Sequence, residues 1–188
     1  KAVAIWCSAR VFPVIASLIV IHSGIGVGIN FISNPFGNPI SLDFHWLGIS
    51  GSAIFIFVWL LGMMFTTKFL DGLDGLVAGI GLIAGLTLFA LSLTERVNQP
   101  ITATLAIILV GSLAGYLVFA FHPAKIFLGE GGSPLVGFML GVLSVILGGK
   151  IATALLVMGI PILDVAWVIA QRIWYRKSPF VGDRLHIH

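Results

Sequence analysis

Ile101-Thr-Ala-Thr-Leu-Ala-Ile-Ile-Leu-Val-Gly-Ser-Leu-Ala-Gly-Tyr-Leu-Val-Phe-Ala-Phe121 is a run of 21 residues without a charge. That is about the length an α-helix needs to cross the hydrocarbon core of a bilayer. Runs of similar character extend roughly over Val3 to Ile21, Trp46 to Phe65, Leu76 to Leu93, Pro134 to Gly149 and Ile151 to Ala170. They are continuous, whereas a spanning β-barrel would alternate apolar and polar residues over short segments. Helices are the other way to satisfy every backbone group in lipid. The expected fold is therefore an all-α integral membrane protein, a bundle of about six transmembrane helices, with residues 1–188 forming a single domain.

Composition agrees. Hydrophobic residues make up 59% of the chain and charged residues 9%, with a mean hydropathy of +1.12, which excludes an ordinary soluble domain. The basic residues are scattered between the spans and form no stripe, so no nucleic-acid partner is expected. Lys1, Lys68, Lys125, Arg172, Arg176, Lys177 and Arg184 fall at one set of span ends, and Arg96 and Lys150 at the other. The positive-inside bias directs the first set to the cytoplasm. The stretch from His22 to His45, rich in Gly, Asn and Pro, then reads as an extracytoplasmic hairpin or re-entrant loop. The lone Cys7 excludes an internal disulfide and reads as an inert thiol in an apolar run. The start at Lys1, without a signal-peptide pattern, reads as a fragment of a longer protein.

Against this apolar background stand two polar islands that share the cytoplasmic end: Lys68-Phe-Leu-Asp71-Gly-Leu-Asp74-Gly75, and His122-Pro-Ala-Lys125-Ile-Phe127-Leu-Gly-Glu130-Gly-Gly-Ser133. Carboxylates between spanning runs are costly to keep and mark a site. Asp71 and Asp74, three residues apart, suit a hard divalent cation such as magnesium, whose remaining positions are filled by phosphates and water. The competing structural reading makes Asp74 the cap of a helix starting near Leu76 and Asp71 a solvated loop residue. Ser133 and Pro134 carry an N-cap and first-position signature, so a helix is expected to begin there, with Glu130 beside its anion-attracting end. The tail Ser178-Pro-Phe-Val-Gly-Asp183-Arg184-Leu-His186-Ile-His188 leaves the last span with basic and aromatic residues suited to a phosphate or sugar, or to anionic lipid headgroups.

The segments Phe69-Leu-Asp71-Gly-Leu-Asp74-Gly-Leu, Phe121 to Ser133 and Ser178 to His188 resemble, in order and spacing, three signature regions of the polyprenyl-phosphate N-acetylhexosamine-1-phosphate transferases, glycosyltransferase family 4. The resemblance implies an Mg2+-dependent enzyme of the bacterial cytoplasmic membrane. Such an enzyme moves a sugar 1-phosphate from a UDP-N-acetylhexosamine to undecaprenyl phosphate and releases UMP, starting a cell-envelope polymer. By motif position it assigns catalysis to Asp71 and Asp74, with Asp71 also a magnesium ligand beside Glu130. Gly72, Leu73 and Asp74 would contribute to a uridine pocket, Phe127 would stack on the uracil, and Lys68, Arg184, His186 and His188 would contact phosphates. The ending resembles the UDP-N-acetylglucosamine branch, with the phospho-N-acetylmuramoyl-pentapeptide branch as the alternative and a homodimer as an allowed assembly.

The sequence departs from the family pattern at four places: Glu130 stands where Asp is usual, Lys68 and Ala120 stand where Asn is usual, and an earlier adjacent aspartate pair is absent. The chain alone is accordingly expected to be inactive. Two readings of other classes remain: a small cation-coupled transporter, and a catalytically dead assembly subunit.

Overall fold

Ser50 opens the helical bundle: its hydroxyl accepts the Ala53 N–H at 3.3 Å, capping a helix over Gly51–Leu70. The computed structural model describes residues 13–19, 49–95 and 97–147, together with backbone pairs at 31–32, 40–41 and 45–46 and single helical positions at 159, 163 and 167. Residues 13–19 are helical and belong to α1. The helices that follow are α2 (Gly51–Leu70), α3 (Leu76–Ser92), α4 (Pro100–Ala120) and α5 (Gly129–Ile146). Of these, α2, α4 and α5 are long and apolar enough to cross a membrane. The sixfold count is not reached among the described residues, because most of Val3 to Ile21 and Ile151 to Ala170 lies outside them.

Three boundaries differ from expectation, one being the end of α2, which runs past the expected Phe65 to Leu70. The span expected from Trp46 begins at Gly51, because β3 (His45–Trp46) pairs antiparallel with β4 (Ile49–Ser50), and those backbone groups bond in a ladder before Ser50 starts the helix. Upstream, β1 (Phe31–Ile32) pairs antiparallel with β2 (Ile40–Ser41), bracketing Asn34 to Pro39. The last described helix begins at Gly129, a full turn before the expected Ser133-Pro134 start. Gly129 takes a positive φ of 71° to turn the chain. Pro134 therefore lies inside the helix, where it removes the bond to the Glu130 carbonyl and crowds that carbonyl with its ring, while the Ser133 hydroxyl donates back to Gly129 O at 3.1 Å.

The helices pair in a nested order. Neighbours α3 and α4 pack together, and α2 reaches past both to pack on α5. Small residues make the close approaches. A Cβ on Gly137 would run into Thr67 Oγ1 and the Met63 carbonyl, and one on Gly141 would stand 2.9 Å from Leu60 Cδ2. Gly81 and Gly85 likewise admit Leu113 and Val110 of α4. Helices packed in lipid gain mainly from such contact, since burial against lipid tails offers no hydrophobic gain. Trp59 Nε1 donates to Ser144 Oγ at 3.1 Å, a second tie between α2 and α5. The core gathers Met63, Val77, Leu88, Leu113, Val136 and Leu140. Ile101, Ile108 and Val118 of α4, Val58 of α2 and Ile83 of α3 are exposed, as a lipid-facing surface requires.

These contacts fix direction. Thr67 near the end of α2 faces Gly137 midway along α5 while Leu60, further back, faces Gly141, so the two helices run antiparallel, and Gly75 at the start of α3 meets Ala120 at the end of α4. Both polar islands therefore sit at one end of the bundle, with the β3–β4 pair at the far end of α2. Gly75 has a φ of 69°, and a Cβ there would lie 3.0 Å from both Ala120 O and Leu117 Cδ1. Gly75→Ala is expected to cost about 1–2 kcal/mol from the left-handed backbone alone, read as a lowered unfolding midpoint in detergent.

Candidate active site

Asp71 is the C-cap of α2, and Lys68 occupies the same helix's last turn, where a cation complements the helix dipole. The nested packing brings the start of α5 to this point. Asp71 is exposed at its surface, yet partial burial of its carboxyl raises its pKa, and the polar side chain of Ser133 beside it opposes that rise. Ser133 itself is buried. Among the described residues no ion pair involves this carboxylate, and a proton or a cation relieves a carboxylate held up by burial.

Asp74 does not cap α3. The N-cap is Gly75, with no side-chain hydrogen bond. Asp74 instead bridges the islands: its Oδ2 accepts His122 Nδ1 at 3.0 Å and the Ala124 N–H at 3.2 Å. An ionised carboxylate only accepts, so Nδ1 carries the proton in this contact. The Ala124 N–H, with His122 second, holds the Asp74 carboxyl below its ordinary value of 3.8. A depressed pKa means that the anchor's contribution to stability is complete above that ordinary value and is lost as pH falls through the lowered one. Hydrogen exchange at the Ala124 amide, corrected for its intrinsic pH dependence, should therefore lose protection only below about pH 4.

The other residues expected at the site line the same end. Gly72 and Leu73 are exposed in the loop between α2 and α3. Phe127 is 77% exposed, and Glu130 projects from the exposed first turn of α5. Arg184, His186 and His188 lie outside the described residues. Sequence reasoning gave no site role to three side chains the structure places here, and it read one of them, Ser133, as the N-cap of a helix that in fact begins at Gly129. The three are His122 on Asp74, Ser133 beside Asp71, and Tyr116, whose hydroxyl donates to Ile126 O at 3.3 Å and which lies within electrostatic reach of both aspartates. His122 and Ser133 bound the second island, which was the available signal; nothing in the apolar run around Tyr116 marked it.

Among the described residues no group of three or more His, Cys, Asp or Glu is arranged to hold a metal ion. Asp71, at the end of α2, and Glu130, in the first turn of α5, nevertheless have the chemistry magnesium uses: exposed hard-oxygen donors, few in number, the second of them at a helix start that favours phosphate. The donor set fits a cation completed by water and substrate oxygens.

The family model described as glycosyl transferase family 4 matches residues 6–148. Among curated proteins, the chain is 29% identical to a probable undecaprenyl-phosphate N-acetylglucosaminyl 1-phosphate transferase of Bacillus subtilis, over 87% of the chain and 45% of the relative. It is 37% identical to a decaprenyl-phosphate N-acetylglucosaminephosphotransferase of Mycobacterium leprae, over 64% of the chain and 36% of the relative. A Thermotoga maritima undecaprenyl-phosphate alpha-N-acetylglucosaminyl 1-phosphate transferase is 29% identical, over 81% and 47%. The chain thus spans less than half the length of each of these relatives.

Proposed function

The chain belongs to glycosyl transferase family 4, and on that footing we propose that the whole protein transfers N-acetylglucosamine 1-phosphate from its UDP derivative to undecaprenyl phosphate, releasing UMP. The observation that carries this reading is the joining of the two carboxylate-bearing islands through Asp74 at one end of an apolar bundle. A membrane-bound acceptor and a water-borne donor meet only at such an interface. The relatives' names support the polyprenyl phosphate and the N-acetylglucosamine branch.

In the proposed reaction an oxygen of the lipid phosphate attacks the sugar-linked phosphorus of the donor. A new P–O bond forms to the lipid, the P–O bond to UMP breaks, and the sugar leaves on a lipid pyrophosphate. Asp71 stands beside the reacting phosphates, and with Glu130 it would hold Mg2+. That cation, when bound, neutralises charge on the phosphate oxygens. The unpaired N–H groups in the first turn of α5 favour the same charge. Phe127 offers the uracil a ring face, Gly72 and Leu73 border it, and Lys68, with Arg184, His186 and His188 of the tail, supplies positive charge and donors to the phosphates. This end of the bundle faces the cytoplasm, and the His22 to His45 segment faces outward.

The test follows UMP release by the full-length protein in detergent, with undecaprenyl phosphate and magnesium, from UDP-N-acetylglucosamine beside UDP-N-acetylmuramoyl-pentapeptide. Release from the first alone is expected. Release from the second alone moves the protein to the peptidoglycan branch, and tight donor binding without turnover makes it an inactive subunit.

A further inference from the structure

The segment between α4 and α5 is tied down at several points. Ala124 N–H reaches Asp74 Oδ2, Lys125 N–H donates to Phe119 O at 2.9 Å, and Ile126 O accepts from Tyr116. Each of these uses a main-chain group of the segment, which almost any residue would supply. The His122 bond to Asp74 is different, because here the segment contributes a side chain. That side chain is 82% exposed. It fills no core space, so its loss leaves no cavity, and its consequence is confined to the bond it makes. The bond spans 48 residues of sequence and joins the loop after α2 to the segment that ends in the exposed ring of Phe127.

We propose that His122 is a positioning residue: through Asp74 it fixes the segment that carries Phe127 against the Asp71–Gly75 loop, and so sets the aromatic face that receives the nucleotide. This rests on the donor reading above and adds to it a side chain that touches neither phosphate nor sugar. Removing the bond loosens a binding surface and leaves the carboxylate beside the reacting phosphates untouched. The loss therefore falls on donor binding, not on the chemical step.

The test compares wild type, His122→Ala and His122→Asn in the full-length protein, Asn being chosen because its amide N–H sits close to the place of Nδ1. Hydrogen exchange is followed in the peptide covering residues 122–128, and UMP release is followed against UDP-N-acetylglucosamine concentration. The alanine variant should exchange faster across that peptide and raise KM about tenfold, with kcat within about twofold. The asparagine variant should restore both. Unchanged exchange in the alanine variant, a fall in kcat at constant KM, or failure of asparagine to rescue would each overturn the assignment. If wild type turns over no UDP-sugar, the functional reading fails on its own account. The exchange comparison then decides the role of His122 alone, acceleration supporting it and no change refuting it.

Discussion

Asp71→Asn is expected to lower UMP release in the full-length protein by at least about a thousandfold, a loss in the range found when a charged group is removed from the reacting centre. The amide keeps the shape and size of the carboxyl and removes its charge, so the geometry at the end of α2 is retained. The folded state should not suffer. Burial already raises the Asp71 carboxyl, which means that its ionised form is disfavoured in the native protein relative to the unfolded chain. Such a group weakens stability above its ordinary pKa, and replacing it with a neutral side chain leaves the unfolding midpoint unchanged or higher. Loss of turnover with undiminished stability is therefore the expected pair of results. A variant that keeps a tenth or more of wild-type turnover would remove Asp71 from the reacting centre.

Gly137→Leu should have the largest effect on folding. Even a methyl group at this position meets Thr67 Oγ1 and the backbone carbonyl of Met63. A backbone carbonyl has no rotamer to yield, so α2 and α5 must move apart. Overpacking of a tight core contact costs about 1–3 kcal/mol and more where backbone must shift, and we expect at least about 3 kcal/mol here. Gly111 on α4 is the internal control. A Cβ there meets nothing within 4 Å, so Gly111→Ala should be neutral or stabilise by up to about 1 kcal/mol through helix propensity. Unfolding midpoints of the two variants in one detergent make the comparison. Equal midpoints would show that the α2–α5 approach is looser than described.

The helices were legible because a spanning run needs only length and apolarity, both local properties. Leu76 to Leu93 and Ile101 to Phe121 match α3 and α4 to within a residue at each end. Where a boundary depended on hydrogen bonds to another segment, local signals failed. The ladder at His45–Trp46 shortened the start of α2, and Pro134, a good first-turn residue in isolation, lies a turn inside α5. Pairing was not legible either, since Gly137 and Gly141 are two of 23 glycines and only the partner surface shows which of them are filled. At the site, the sharing of one end by both islands followed from counting spans and charges. The Asp74 bridge did not, because capping by an Asp before a helix is the local explanation and the actual donors lie 48 and 50 residues away.

The nested order of the helices also constrains how the protein is made. Helices α3 and α4, joined by a short turn closed by Gln99 N–H on Ser92 O at 3.1 Å, can associate as soon as both have left the ribosome. Helix α2 cannot. Its partner surface at Gly137 and Gly141 is synthesised last of the four, after the intervening pair has been delivered to the bilayer. Contacts distant in sequence form late because the chain between them must be ordered first. The surroundings of Asp71 are thus the final part of this region to come together, and a nascent chain stopped before α5 can anchor Asp74 on His122 and Ala124 but carries Asp71 without the helix start that packs beside it.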